Sequence, residues 1–323
     1  MLASEAPEGE SGHEPVLLDA VVEWLLPALE RDARPVLVDG TVGLAGHADA
    51  FLRRLPGLRL VGIDRDPTAL EASRRRLEVY GERVRLVHGN HAELGEEVSR
   101  VGWSPVLGVL LDLGVSSPQL DRPERGFSFR LDGPLDMRMD PTRGQTAAEL
   151  LRHASERELA DLLWQYGEER HSRRIARHLV EVRRRRPIDT TRALREAVIA
   201  ALPALARQGR DHPARRTFQA LRIAVNDELG SLRAVLTAGL SVLTPGGRLA
   251  VISFHSLEDR IVKHAFRESA QTGELAVLTK RPLVAGHRER AENPRSRSAK
   301  MRVGQRGGVA PGGEGRLPQT SDE

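Results

Sequence analysis

The chain has 323 residues, no cysteine, and a formal net charge of +4 from 49 lysines and arginines against 45 acidic residues. Without cysteine there are no disulfides or thiolate metal sites, which suits a cytoplasmic protein. No run of ~20 apolar residues predicts a membrane span, and the acidic stretch Met1–Gly12 lacks the basic-then-apolar pattern of a signal peptide. Only Lys263, Lys280 and Lys300 are lysines, so nearly all positive charge is guanidinium. The basic blocks Arg183–Arg186 and Arg295–Arg306 permit a polyanion partner.

Residues 1–12 read as disordered, and His13-Glu14-Pro15-Val16-Leu17-Leu18 leads into an amphipathic helix carrying Val22, Leu25, Leu26 and Leu29. Four short apolar runs without polar alternation follow: Pro35–Asp39, Leu58–Asp64, Val84–Val87 and Val106–Asp112. Such runs are strands buried on both faces of a parallel sheet. Helices at about 46–55 and 67–80 alternate with them, which predicts a doubly wound, mostly parallel α/β sheet. From 121 to 214 no buried strand is legible. Arg125–Met139 is a Gly- and Pro-punctuated loop, and Thr146–Glu149 and Ser155–Glu158 are capping boxes that start helices.

A helix from about Thr217 places Phe218, Leu221, Val225, Leu229, Leu232 and Val235 on one stripe. A fifth strand, Arg248–Phe254, precedes a helix capped by Ser256, and Leu275–Leu278 with Lys300–Val303 forms a terminal strand pair. The organisation expected is a sheet domain built from 13–120 and 215–304, a small all-helical domain inserted at 121–214, and a disordered tail at 305–323.

In open α/β sheets, ligands bind at the carboxyl ends of the strands. Gly40, Gly43 and Gly46 do not match the dinucleotide G-x-G-x-x-G spacing, yet they let the backbone approach a ligand. Asp64 ends the second strand, where a carboxylate accepts both hydroxyls of a ribose. A nucleoside cofactor without a pyrophosphate, such as S-adenosylmethionine, fits this pattern. His91 and Asp112 end the third and fourth strands beside the same crevice. His47 either presents its backbone there or merely begins a helix, Gln119 either reaches the crevice or lies on the loop surface, and His255, Ser256 and Asp259 form either a functional or a helix-capping cluster. No His/Asp/Glu spacing suggests a metal site.

Several long strings then carry a family resemblance. They include Asp39-Gly-Thr-Val-Gly-Leu-Ala-Gly-His47, Asp112-Leu-Gly-Val-Ser-Ser-Pro-Gln119, Arg125-Gly-Phe-Ser-Phe129, His212-Pro-Ala-Arg-Arg-Thr-Phe-Gln-Ala220, Ile252-Ser-Phe-His-Ser-Leu-Glu-Asp-Arg260 and Asn293-Pro-Arg-Ser-Arg-Ser298. Together, over about 13–302, the chain resembles the bacterial small-subunit ribosomal RNA cytosine-N4 methyltransferases. The resemblance implies S-adenosylmethionine as donor, a decoding-region cytidine of 16S ribosomal RNA or of the small subunit as acceptor, and a helical substrate domain after strand four. Cofactor contacts then fall on Ala45, Gly46, His47, Asp64, His91, Asp112 and Gln119, and the glycine loop itself adds Gly43. Ala45 stands where the family has Gly, a change tolerable at negative φ, and His91 stands where it has Phe.

Asp112 with Ser116, Ser117 and Pro118 is the expected catalytic loop, orienting donor and amine together. Holding the amine in line with the transferring methyl supplies acceleration without a dedicated base. Arg215, Arg216, Arg183–Arg186 and Arg295 are candidate phosphate contacts, and Phe127 and Phe129 candidate stacking surfaces. Trp164 is expected in the core. A nucleotide-dependent oxidoreductase, a non-catalytic assembly factor and a DNA cytosine methyltransferase are the competing readings, with DNA the weakest.

Overall fold

Five strands run parallel: Val36–Asp39 (β1), Arg59–Asp64 (β2), Val84–His88 (β3), Val106–Asp112 (β4) and Arg248–Ser253 (β5). Leu275–Val277 (β6) and Lys300–Arg306 (β7) complete a seven-stranded sheet in the order β3-β2-β1-β4-β5-β7-β6, with β7 antiparallel to both neighbours. The computed structural model describes residues 15–208 and 212–307. The segments read as disordered at 1–12 and beyond Gly307 lie outside the described residues. The expected tail from 305 begins inside β7, because Gln305 and Arg306 still pair with Arg248 and Leu275.

Every residue of β1 is buried, as is all of β4 up to Asp112, which explains their unalternated sequences. The edge strand β3 is only partly covered. Leu18–Leu29 (α1), Gly46–Arg54 (α2) and Pro67–Leu77 (α3) pack on one face around Leu25, Leu37, Phe51, Leu60 and Leu110. Asp66 caps α3 by accepting from the Thr68 N–H at 3.0 Å, with Pro67 at the first helical position. On the other face lies Leu94–Val101 (α4), beneath Val38, Val61 and Leu111.

Between β4 and β5 the chain forms Ser117–Asp121 (α5), Ala147–His153 (α6), Glu156–Gly167 (α7), Ser172–Arg183 (α8), Thr191–Ala201 (α9), Ala204–Arg207 (α10) and Arg215–Asn226 (α11). Both capping boxes form, at the starts of α6 and α7. Phe127, Leu151, Leu163, Ile175, Leu194 and Phe218 make a separate core. Because Phe218, Ala220 and Leu221 of α11 lie in it with Ala214, the cap of that helix, the helical core extends past the boundary expected at 214.

The single helix expected from Thr217 is in fact two. Asp227 takes φ 45° and ends α11, and Glu228–Val242 (α12) returns to the sheet face beside α4. Asn226 seals this break: its Oδ1 accepts from the Met139 N–H at 2.7 Å and its Nδ2 donates to the Met137 carbonyl at 2.8 Å. Ser256–Gln271 (α13) follows β5, and His287–Glu292 (α14) lies between β6 and β7.

Candidate active site

The chain runs outward from β1 to β3 on one side and from β4 to β5 on the other, so the sheet has its topological switch between β1 and β4. Ligand crevices form there. A cleft of about 400 Å³ opens at this point, lined among others by Gly43, Asp64, His91, Asp112, Gln119 and Phe127. Its size suits a nucleoside-sized ligand.

The β1–α2 loop is shaped by Asp64. Gly43, at φ 53°, donates its N–H to Asp64 Oδ2 at 2.8 Å, and the Asp66 N–H donates to Oδ1 at 2.9 Å. Each carboxylate oxygen keeps a second lone pair, so the side chain can take two hydroxyls. Ala45 sits at φ 60°, not at the negative φ under which its methyl was expected to be tolerable. It therefore occupies a left-handed position that glycine takes without strain, at a cost of about 1 kcal/mol. A Cβ on Gly46 would fall 2.3 Å from Pro15 Cγ, which ties the loop to the N-terminal segment. His47 is buried and donates its Nε2–H to the Val16 carbonyl at 3.1 Å, leaving Nδ1 at 3.9 Å from Asp112 Oδ2.

Asp112 closes the cleft floor. Its N–H donates to Thr41 Oγ1 at 2.6 Å, and its own Oδ1 is buried without a hydrogen-bond partner among the described residues. Burial, then the charges of Asp39 and Glu258, push its carboxyl well above the usual range. His91 lines the same wall with a buried Nε2 that has no hydrogen-bond partner among the described residues; burial, then the nearby Arg65, lowers its pKa to about 3, so the ring is neutral.

Asp39 is raised to about 7, mainly by burial and opposed by the Thr41 N–H. A carboxyl whose folded pKa is raised stabilises the fold below its unfolded pKa and loses that contribution as pH climbs through the folded one. Asp39→Asn is accordingly expected to gain on the parent protein by about 1 kcal/mol per pH unit between pH 4 and 7, then level off. Urea unfolding of the two proteins across that range checks this, and a constant difference would be the contrary result.

The loop after β4 is braced from both sides. Pro118 occupies the first turn of α5, and Gln119 Oε1 accepts from the Ser116 N–H at 3.0 Å. Gln119 Nε2 donates to Asp66 Oδ2 at 2.8 Å, so both ends of this amide are held by the protein itself. The same Asp66 oxygen takes Arg125 Nη1 at 2.7 Å, while Arg125 Nη2 donates to the Arg138 and Met139 carbonyls. Asp66, absent from the sequence expectations, thus joins the cleft to the helical unit. Arg295 hydrogen-bonds Ser117 and pairs with Asp121 at 2.9 Å, which makes it a brace for this loop.

The expected nucleic-acid residues divide. Phe127 is buried in the helical core although it borders the cleft. Phe129 also borders it, with one face stacked on His212 at 4.5 Å between centroids. Arg215 lines the cleft, whereas Arg216 donates to the Glu168 carbonyl at 2.9 Å. Arg183 bonds to the Leu151 and Ala154 carbonyls at the end of α6, while Arg184, Arg185 and Arg186 are exposed. Trp164 is 59 % exposed rather than in the core, because the buried face of α7 is Leu159, Ala160 and Leu163.

At the β5 end, His255, not Ser256, caps α13. Glu258 Oε2 accepts from the Phe254 N–H at 2.8 Å and the His255 N–H at 3.3 Å. Nearby, Arg222 grips Glu228 with two bonds of 2.7 and 2.8 Å. Glu228, His255 and Glu258 bring ligating atoms within 4.8 Å of one another. The Arg222 cation already holds both Glu228 oxygens, where a metal would have to approach. Sequence reasoning missed Glu258, Arg222 and Glu228.

The family model described as the MraW methylase family matches residues 10–307. The chain belongs to this family. Similar curated proteins include the Ribosomal RNA small subunit methyltransferase H of Geobacter sulfurreducens, 51 % identical over 91 % of this chain and 98 % of that protein. The proteins of the same name from Heliobacterium modesticaldum and Synechococcus elongatus are each 49 % identical, over 91 % and 95 % of this chain and 98 % of their own lengths. As an MraW-family methylase, the chain uses S-adenosylmethionine as methyl donor. Among the described residues no helix is long and apolar enough to cross a membrane.

Proposed function

We propose that this protein methylates N4 of a decoding-region cytidine in 16S ribosomal RNA, acting in the cytoplasm on the RNA or the small subunit. The observation that carries the reading is the convergence of Asp64, from the end of β2, and Asp112, from the end of β4, on one cleft beside the Gly43 loop. When bound, S-adenosylmethionine supplies a methyl group carried on a sulfonium.

The chain's own residues bind and orient. The free lone pairs of Asp64 suit the two ribose hydroxyls, and the neutral His91 ring suits the adenine wall. Asp112 Oδ1, buried and without a hydrogen-bond partner among the described residues, offers an acceptor to an amino group at the reaction centre. Ser116, Ser117 and Pro118, held by Gln119 and Arg295, form the rigid rim against which the target base is positioned. Such positioning of a weak amine supplies much of the rate.

The base must leave its stack, at a cost of a few kcal/mol. The helical unit, with Arg215 at the cleft and Arg184–Arg186 on its surface, supports phosphate contacts that offset this. Affinity for small subunits is expected to fall by about 10- to 100-fold between 50 and 200 mM salt. A flat response in a filter-binding titration would remove the phosphate-dominated interface. The direct test is transfer of labelled methyl from S-adenosylmethionine to small subunits lacking the modification, followed by mass spectrometry of the RNA. N4-methylcytidine is the expected product, and incorporation elsewhere or none would overturn the reading.

A further inference from the structure

We propose that the β5 end of the cleft is a cytosine-reading subsite, in which His255 Nε2–H donates to base N3 and Glu258 Oε1 accepts from the N4 amine. The inference rests on the methylation reading above and names how the acceptor base is told from uracil.

His255 Nδ1 accepts the Glu258 N–H at 3.4 Å, which leaves the ring proton on Nε2. That Nε2–H is buried and, among the described residues, has no aligned hydrogen-bond partner, although Glu258 Oε1 lies 3.2 Å away. A buried donor left in this state calls for a ligand acceptor. Glu258 is fixed by the two N–H groups on its other oxygen, and the Arg222–Glu228 pair walls it in. Burial alone would raise this carboxyl, but His255, Arg222 and the Phe254 N–H hold it below its ordinary range, so it is a charged acceptor.

A donor beside an acceptor complements the N3 and N4 edge of cytosine, where N3 accepts and the amine donates. Uracil presents the reverse order, N3–H and O4, and is refused. Flipped bases are read in this way along their pairing edge. The subsite also lies in the right place. β4 and β5 are neighbours, Asp112 stands opposite Ile252, and both His255 and Glu258 line the same cleft as Asp112. An amine held by Glu258 therefore sits on the Asp112 side of the cleft.

The test uses small subunits reconstituted on 16S RNA carrying either cytidine or 3-deazacytidine at the methylated position, the latter having C–H in place of N3. His255→Asn keeps a good helix cap while deleting the Nε2–H. With cytidine, the variant is expected to lose about tenfold in kcat/KM, the worth of one ordinary hydrogen bond. The wild-type enzyme should lose a similar factor on going to 3-deazacytidine, and the variant nothing further. Calorimetric affinity for S-adenosylmethionine should be unchanged by the substitution.

Independent, multiplying losses in the variant would overturn the proposed contact. Should His255→Asn fail to fold, the wild-type enzyme still decides: equal affinity for the two subunits in the presence of S-adenosylhomocysteine overturns the contact, and about tenfold weaker binding of the 3-deaza subunit supports it. Absence of methyl transfer to any cytidine-bearing subunit would instead overturn the activity reading, and the subsite with it.

Discussion

Asp64→Ala is expected to weaken S-adenosylmethionine binding by about a hundredfold, since the two hydrogen bonds that its carboxyl oxygens accept from the donor's ribose hydroxyls are lost at about 1–1.5 kcal/mol each. The carboxylate sits at the tip of β2 with one lone pair of each oxygen committed to the Gly43 and Asp66 N–H groups, so its remaining capacity faces the cleft. Removing it also frees the Gly43 loop, and that second loss is separable. Asp64→Asn keeps an acceptor oxygen for Gly43 and should fall between the two. Calorimetry with S-adenosylmethionine reads the affinity, and a melting curve without ligand reads the loop. An alanine variant that binds the donor as tightly as the parent would detach Asp64 from the cofactor site.

Asp112→Ala is expected to reduce turnover at saturating donor by about a hundredfold, with less effect on the donor's dissociation constant. Asp112 differs from Asp64 in having an oxygen that is buried and, among the described residues, has no hydrogen-bond partner. Its carboxyl is also pushed upward by burial and by Asp39 and Glu258, so much of its value lies in an acceptor oxygen rather than in charge. Asp112→Asn, which keeps that oxygen, should therefore retain about ten times more activity than the alanine variant. Single-turnover rates at saturating donor give the comparison. Full turnover in Asp112→Ala would remove the residue from the reaction.

The strands and their terminal carboxylates were legible because a strand covered on both faces is a short apolar run, and the first polar residue marks where it meets solvent or ligand. Asp39, Asp64 and Asp112 all stand at such ends. What stayed hidden depends on contacts rather than on period. The stripe from Phe218 to Val235 keeps one helical phase across Asp227, so a single left-handed residue between two helices leaves no trace in it. Ala45 reads as an ordinary substitution until its φ of 60° is seen. Asp66 before Pro67 looks like a local cap, yet its other oxygen is bonded to Gln119 and Arg125, 53 and 59 positions away. Glu258 was overlooked because His255 takes the capping place where a hydroxyl residue is the usual signal.

The position of β7 bears on how the molecule is made. Among the described residues β6 pairs only with β7, and only β7 covers the outer edge of β5. The stretch just before β7 also carries Arg295, which steadies the rim at Ser117 and Asp121. During synthesis, then, most of the sheet is translated long before its exposed β5 border is covered. A nascent or prematurely terminated chain lacking residues 293–306 would carry an open, aggregation-prone strand edge and an unsupported rim.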